Sequence, residues 1–302
     1  MKAYAFDLSF SAPLTELPSA SGLFGQLAWW VRYREGDRGV AAFLESFRAA
    51  PPWRISSAFP QGHLPRPLLP PANDSRLAES AFRKALKRVR YVDVSTFAAM
   101  VHEGEGALLA RLETNVEGNR TSRAVNRTRV GIDRAHGGAY EGLLYTDTLE
   151  QPLGIWTVYV QAAAPEVLTW LHEGLTYLGL TGYGGKASVG AGRFSVAEPR
   201  SLELPEAEHP NAYTTLAPCI APNSDGYYQL ETYWGRLGGT FTHHENLFKR
   251  PYLRASAGST FYGEPPQTAL LETAKVGEAT VYDYLYPFPL GVRLEEADDR
   301  AA

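Results

Sequence analysis

The sequence is poor in cysteine, and Cys219 is the only one in 302 residues. A single cysteine excludes a disulfide framework and any zinc or iron–sulfur site built from several cysteines. Long apolar runs are also lacking, because no segment approaches the roughly 18 apolar residues of a membrane span. The opening residues MKAYAFDLSF have no apolar signal-peptide core. We therefore expect a cytoplasmic protein that does not contact a membrane.

The sequence also lacks an excess of positive charge, because 29 Lys and Arg face 33 Asp and Glu, a net charge of −4. The distribution is more informative than the sum. Residues 120–134 hold five arginines and one acid, Asp133, and residues 76–90 hold six basic residues and one acid, Glu79. Local basic stretches on an acidic chain are typical of a protein that grips a polyanion in one groove. Ordinary solvated surfaces would explain either stretch taken alone.

Hydrophobic periodicity, caps and prolines predict the order of strands and helices. The expected strands cover 2–10, 55–59, 154–162 and 193–198, and the expected helices cover 22–36 with Ser21 as its cap, 41–49, 75–89, 95–104 and 165–180. In the helix over 75–89 the residues expected to face inward are Leu77, Ala81, Leu86 and Val89. Beyond a Pro- and Glu-rich stretch, 198–211, only short strand-like pieces follow.

This order predicts an α+β fold of the split-βαβ, ferredoxin-like kind, which is also the scaffold of the RNA-recognition motif. We expect an N-terminal RRM-like lobe over 1–200, a strand-rich C-terminal lobe over 205–294, and a disordered acidic tail over 295–302.

Two segments do not look like core. Residues 111–148 are polar, rich in arginine and contain glycine, and they predict a long hairpin or protruding loop. Residues 182–193 form a glycine-dense loop that departs from both the Walker A and the dinucleotide-binding patterns. Its glycines permit close backbone approach and exposed N–H groups, and Lys186 and Arg193 add positive charge. We interpret the loop as a contact for a sugar-phosphate backbone rather than as a simple turn.

The sequence lacks motifs typical of a metal site or of a catalytic nucleophile. His243-His244-Glu245 fails as a zinc-protease motif because Phe248 stands where the second histidine belongs. The remaining histidines have no ligand spacing, and Cys219 lies in an apolar run typical of core. We expect no catalytic residue, no metal and no cofactor.

The glycine loop GYGGKASVGAGRF, after a helix and before a strand, resembles the signature loop of the RAMP superfamily of CRISPR proteins. Further segments narrow the resemblance: SGLFGQLAWW, SSAFPQG, LPRPLLP, VGIDRAHGGAYEGLLY, LRASAGSTFYGE and YDYLYPFPLGVRL. Together they are similar to the branch that caps the 5′ end of the crRNA in type III-A (Csm) effector complexes. The resemblance runs from about residue 2 to 294.

The resemblance implies a non-catalytic RNA-binding subunit with two ferredoxin-like lobes and a protruding β-hairpin thumb near 111–135. Its partners would be the crRNA 5′ handle, a large polymerase- or cyclase-like subunit, the first backbone RAMP subunit and, indirectly, target RNA. The implied RNA-binding residues are Ser21, Gly22, Gln26, Arg123, Arg127, Arg129, Arg134, Gly182, Gly184, Gly185, Lys186, Ser188, Gly190, Arg193, Lys249, Arg250, Arg254, Gly258 and Ser259.

Two other functions stay open. A RAMP endoribonuclease that processes repeat RNA would need a general base, and the candidate bases are His63, His136 and His244. A target-cutting subunit would use a loop aspartate, for which Asp133 is the candidate. We expect Asp133 instead to brace Arg134 or Arg129. A third possibility is an unrelated α+β interaction domain.

Overall fold

The computed structural model describes residues 1–112, 120–222, 225–243, 245–267 and 269–294. The segment expected to be an acidic tail, 295–302, lies outside the described residues, as do 113–119 of the expected thumb and His244.

The helices and strands of the described residues follow in chain order. The α-helices are α1 (Ala20–Ala49), α2 (Ser80–Arg88), α3 (Val94–Glu103), α4 (Gly106–Arg111) and α5 (Glu166–Thr181). The strands of the first two thirds are β1 (Lys2–Phe10), β2 (Trp53–Pro60), β3 (His63–Pro65), β4 (Tyr91–Asp93), β5 (Ser122–Asp133), β6 (Gly138–Pro152), β7 (Ile155–Ala162), β8 (Phe194–Val196) and β9 (Arg200–Leu202). The remaining strands are β10 (Ala212–Thr215), β11 (Gly226–Tyr227), β12 (Leu230–Tyr233), β13 (Tyr252–Ala255), β14 (Thr260–Tyr262), β15 (Leu270–Val276), β16 (Ala279–Tyr284) and β17 (Pro289–Val292).

The N-terminal sheet has the strand order β2-β7-β1-β8, and β9 also pairs with β1. Strand β1 lies in its centre, since it is hydrogen-bonded to β7 from Lys2 to Ser9 and to β8 on its other side. All these pairs are antiparallel. The buried residues of β1 are Ala5, Phe6 and Leu8. The alternating pattern of the sequence therefore predicted this strand correctly.

Helices α1 and α5 pack against each other beside this sheet. The contact is close because α5 has a glycine at position 174, where a Cβ would lie 2.5 Å from a Leu27 methyl and 3.1 Å from the Trp30 ring. Apolar residues from both ends of the chain, including Phe24 and Tyr284, join in one continuous core. The C-terminal sheet, in the order β11-β14-β10-β17, thus shares this core with the N-terminal sheet.

Helix α1 differs from the prediction in two ways. Its N-cap is Ser19, whose hydroxyl accepts a hydrogen bond from the Gly22 N–H, so the expected cap Ser21 is wrong. The two helices expected over 22–36 and 41–49 are one element that is interrupted at Gly36, where φ is +75°. A glycine adopts this left-handed conformation without steric cost, so the chain turns there and resumes its helix.

The helix expected over 75–89 is divided into a 3₁₀ turn, Ser75–Ala78, and α2. The buried residue of α2 is Phe82, whereas Ala81, expected inside, is exposed. Leu86 and Val89 pack against the core as predicted and Leu77 is half-buried, so of the four residues expected inside only Ala81 is wrong. The large ring of Phe82 is buried instead, because it removes far more apolar surface from water than a methyl group does.

The hairpin expected within 111–148 consists of β5 and β6, paired from Ser122↔Pro152 to Asp133↔Gly138. The bounds expected for the thumb, 111–135, cover β5 but not β6. In the described part of 205–294 the only helical element is the 3₁₀ turn Gly239–His243, in agreement with the strand-rich prediction. No helix among the described residues has the length and apolar character needed to cross a membrane.

Candidate nucleic-acid interface

The glycine loop starts where α5 ends. Gly182, Gly184, Gly190 and Gly192 all have a positive φ. Gly192 is the most constrained, because a Cβ there would lie 2.0 Å from the Tyr183 carbonyl oxygen. The Tyr183 N–H donates to the Gly192 carbonyl at 2.8 Å, which closes the loop on itself. Position 192 needs a positive φ and has no room for a Cβ, and only glycine meets both requirements.

The loop is fastened to residues 13–16, which we call the junction segment. The Gly185 N–H donates to the Thr15 hydroxyl at 3.1 Å, and the Gly192 N–H donates to the Pro13 carbonyl at 2.9 Å. Two N–H groups that we expected to face phosphates are thus used within the protein. The polar side chains that the loop presents to solvent are those of Lys186, Ser188 and Arg193, and Val189 is exposed beside them. RNA contact by this loop would therefore come mainly from its side chains.

Lys186 joins the loop to the hairpin. Its φ of +62° makes it the one non-glycine residue with a positive φ among those described. Its Nζ forms an ion pair with Asp147 on β6, and Arg129 Nε on β5 lies 2.8 Å from the other oxygen of the same carboxylate. The Lys186 hydrogen bond and the two neighbouring positive charges hold the pKa of Asp147 below its usual range. The sequence interpretation missed Asp147, although it is the one carboxylate between residues 142 and 149.

Three arginines share one face of the hairpin. Every second side chain of a strand lies on the same face, so Arg123, Arg127 and Arg129 of β5 lie together, and Arg127 is paired in register with Asp147. Arg129 is neutralised by Asp147, whereas Arg123 and Arg127 form no ion pair with any described residue. On either side of its polar turn the hairpin also exposes apolar residues, namely Val130, Ile132, Tyr140, Leu143, Leu144 and Tyr145.

The turn of the hairpin corrects our expectation for Asp133. Its carboxylate lies 2.5 Å from Nδ1 of His136 and accepts a hydrogen bond from the Ala135 N–H at 2.8 Å. Contact with His136 and this N–H lowers the pKa of Asp133. Asp133 therefore braces neither Arg129 nor Arg134, and Arg134 is exposed beside it.

The start of α1 meets the glycine loop through Tyr183, a second residue that the sequence interpretation missed. Tyr183 is fully buried, and its hydroxyl accepts a hydrogen bond from the Ser19 N–H at 3.2 Å. A Cβ at Gly22 would lie 2.1 Å from this hydroxyl, so Gly22 makes room for the ring. Ser21 is also buried and donates to the Tyr284 carbonyl at 2.8 Å. Gln26 is half-buried.

The five C-terminal site residues differ in exposure. Lys249 forms an ion pair with the buried Asp283. Arg254 is buried, lies 2.7 Å from Glu231 and stacks over a tyrosine ring. Ser259 is buried in the core, and Gly258 packs against a neighbouring backbone. Arg250 alone among them is exposed, and it donates to the Glu272 carbonyl. The positive charges of Lys249 and Arg254 are therefore used to hold the fold.

The junction segment brings these parts together. Leu14 exchanges two backbone hydrogen bonds of 2.8 Å with Glu150 at the base of the hairpin. Glu16 keeps contact with solvent, but the protein packed around it raises the pKa of its carboxyl, which the nearby charge of Arg254 opposes. Glycine loop, hairpin and C-terminal region thus meet around residues 13–16.

Metal chemistry has no support in the described residues, where no three His, Cys, Asp or Glu side chains lie close enough together to hold an ion. The site offers cations instead. Arg127 is half-buried, and the exposed ones are Arg123, Arg134, Lys186, Arg193 and Arg250. Cys219 is fully buried, as expected for a core residue.

Comparison with known proteins gives relatives that cover nearly the whole chain. No family model matches the chain. The CRISPR system protein Csm4 of Thermococcus onnurineus (strain NA1) is 28% identical over 309 residues, which covers 98% of each chain. A chain in the crystal structure of the Csm1-Csm4 cassette in complex with cA4 has a TM-score of 0.65 at 19% identity, over 98% of this chain and 100% of that one. A chain in the crystal structure of the Csm3-Csm4 subcomplex of the type III-A interference complex has a TM-score of 0.62 at 12% identity, over 97% and 100%. The similarity spans the whole chain in sequence and in fold, and the protein is therefore a homologue of Csm4.

Proposed function

We propose that this protein is a non-catalytic RNA-binding subunit of a type III-A CRISPR effector complex that caps the 5′ handle of the crRNA. The observation that carries the proposal is the meeting of the glycine loop and the hairpin at Asp147, between Lys186 and Arg129. This contact fixes two elements with exposed cations side by side. A polyanion that lies along the loop would therefore reach the base of the hairpin as well.

The topology supports an RNA-binding scaffold. The order strand, helix, strand, strand, helix, strand, with the sheet order β2-β7-β1-β8, fits the split-βαβ arrangement that we propose for this lobe. The segment between β2 and β7 contains the β5–β6 hairpin, which we interpret as the thumb. Its cations on one side and the exposed apolar residues near its turn fit an element that separates the handle from the guide-pairing region.

The cations of the interface have different expected roles. Arg193, Arg123 and Arg127 are free to bind phosphates or to stack on splayed bases. Lys186 and Arg129 would act by holding the hairpin against the loop. Ser21, Arg254 and Ser259 would support the interface from the core, because they are buried.

The relatives also suggest the protein partners. The similar chains come from structures that contain Csm1 with Csm4, and Csm3 with Csm4. We infer that this chain likewise has the large subunit on one flank and the first backbone subunit on the other. The exposed apolar residues near the turn of the hairpin suit burial in such an assembly.

The proposal is tested with the chain co-expressed with the large subunit. RNA that co-purifies should share a common repeat-derived 5′ end when it is sequenced. Binding is then measured for a crRNA and for the same RNA with a scrambled handle, at several salt concentrations. Arg193→Ala should weaken both about equally and lower the salt slope by about 0.7, the value for one phosphate of a single strand. Lys275→Ala, an exposed cation on β15, is the matched control. RNA without a common 5′ end, or an unchanged affinity in Arg193→Ala, would contradict the proposal.

A second candidate function, RNA cleavage, is favoured by the Asp133–His136 contact of 2.5 Å at the exposed turn. An aspartate that orients a histidine is an arrangement used in acid–base catalysis. If this pair cleaves RNA, repeat or target RNA should be cut at one site by the assembled complex. His136→Ala and Asp133→Asn should both abolish the cut, whereas His63→Ala should not. We expect the RNA to remain intact in all of these samples.

A further inference from the structure

Helix α2 carries a concentrated positive charge that the proposed handle site does not use. Its outer surface presents Arg83, Lys84, Lys87 and Arg88, and Arg90 follows directly after the helix. All five side chains are exposed, and none forms an ion pair with an acid among the described residues. Glu79, which precedes the helix, is the one acid in this stretch of the sequence.

The helix is held so that these cations face outward. Phe82 is 2% exposed, and the Arg76 guanidinium covers its ring with 4.7 Å to the ring centre. Arg76 is itself paired with Asp74 at 2.7 Å. At the other end of the helix, Arg66 Nη1 donates to the Leu86 carbonyl at 3.0 Å. The basic surface is therefore presented by a fixed helix.

Repulsion among these unpaired positive charges destabilises the helix. Arg83 and Lys87, and likewise Lys84 and Arg88, stand four residues apart on the same side of the helix, where like charges repel. A helix needs no such pattern for solubility, since alternating signs would serve as well. An anionic ligand along this side would turn two repulsive pairs into attractive contacts.

Backbone hydrogen bonds join the end of α2 to the C-terminal region. The Arg66 N–H donates to the Arg90 carbonyl at 2.9 Å, and the Leu68 N–H donates to the Gly258 carbonyl at 2.7 Å. Gly258 also packs against the Arg66 carbonyl, which a Cβ at that position would approach to 2.5 Å. The short segment 66–68 therefore links the end of α2 to the buried turn at Gly258 and Ser259, which fixes the helix on the C-terminal region.

From these contacts we propose that the exposed cations of α2 form a second, sequence-independent site for the phosphodiester backbone of RNA. The regular spacing of charges on one side of a short helix suits successive phosphates of a single strand. The inference rests on the proposed function only in taking RNA as the polyanion, and it concerns residues outside the glycine loop and hairpin.

The test compares two variants of the full chain, each of which has four fewer positive charges. In the α2 variant Arg83→Gln, Lys84→Gln, Lys87→Gln and Arg88→Gln are combined, since glutamine retains helix propensity. The control variant combines substitutions of exposed cations on β1, α1 and β15: Lys2→Gln, Arg34→Gln, Arg38→Gln and Lys275→Gln. Affinity for a short oligouridylate and for crRNA is measured at several salt concentrations, beside Arg193→Ala. Circular dichroism and thermal unfolding verify that both variants fold.

The α2 variant should bind oligouridylate at least about fivefold more weakly at low salt, because four exposed ion pairs that contribute roughly 1.5- to 5-fold each are lost together. Its salt slope should fall by about 0.7 for every phosphate that the helix no longer neutralises. The control variant should change neither quantity.

Equal weakening in both variants would mean that only net charge matters, and this result would overturn the proposal. Unchanged RNA affinity together with failure to bind the co-expressed large subunit would assign α2 to a protein partner and also overturn it. If Arg193→Ala weakens binding and the α2 variant does not, the second site is refuted and the handle site stands.

Discussion

Substitution of Gly192 by alanine probes whether the geometry of the glycine loop is needed for the fold. Gly192 and Gly190 both have a positive φ, of +72° and +81°. Their surroundings differ. A Cβ at position 192 would lie 2.0 Å from the Tyr183 carbonyl oxygen and 2.7 Å from the Tyr183 nitrogen, whereas a Cβ at position 190 meets nothing within 4 Å. Gly190→Ala is therefore the control, because it places an alanine at a similar positive φ without a clash.

The expected magnitudes follow from these two effects. An alanine in the left-handed region costs about 1–2 kcal/mol at either position. Forcing a methyl group against backbone adds about 1–3 kcal/mol at position 192, because a backbone carbonyl cannot rotate away as a side chain does. The shift also weakens the bonds from Gly192 N–H to Pro13 and from Tyr183 N–H to Gly192. We expect Gly192→Ala to lower the unfolding free energy by about 2–5 kcal/mol and Gly190→Ala by about 1–2 kcal/mol.

Thermal unfolding of the full chain measures the difference, at roughly 2 °C for each kcal/mol in a protein of this size. RNA affinity is measured on both variants below their transitions. Gly192→Ala should also weaken RNA binding, because the displaced loop would carry Lys186 and Arg193 with it, and Gly190→Ala should bind almost normally. Equal destabilisation by both substitutions would refute the argument that the Tyr183 backbone makes glycine necessary at position 192.

Three further outcomes are expected. Asp147→Asn should lower the Tm by removing the ion pairs to Lys186 and Arg129. Because the folded state lowers the pKa of Asp147 below its usual 3.8, its stabilisation is present above that value and disappears as pH falls through the lowered pKa. The Tm difference between native protein and Asp147→Asn should thus be constant from pH 5 to 8 and shrink in stronger acid; a difference that changes between pH 5 and 8 would contradict this. Burial raises the pKa of Cys219 to about 12, so a thiol reagent at pH 8 should label it only after unfolding. Gly22→Ala should destabilise the protein by about 1–3 kcal/mol, and adding Tyr183→Phe should restore part of that stability by removing the clashing hydroxyl, as a double-mutant cycle would measure.

Local patterns in the sequence determined much of the secondary structure. The alternation in residues 2–10 specifies β1, because one side of a strand must be apolar when it lies on a core. The glycines of 182–193 specify a loop with positive φ, since other residues rarely adopt that conformation. The arginine-rich stretch after residue 120 correctly indicated a hairpin, and the apolar run around Cys219 correctly indicated core. All of these depend on interactions among neighbouring residues.

The tertiary structure alone decided which candidate residues reach the surface. Ser21 looks like an exposed helix cap in the sequence, yet its hydroxyl binds a carbonyl 263 positions away and is buried. Lys249 and Arg254 look like free cations, but Asp283 and Glu231 neutralise them across strand contacts that no local pattern reveals. The same holds for Asp147, whose partners come from two different elements. Local propensity determines where strands and loops form, whereas burial and charge pairing depend on the long-range packing that brings distant residues together.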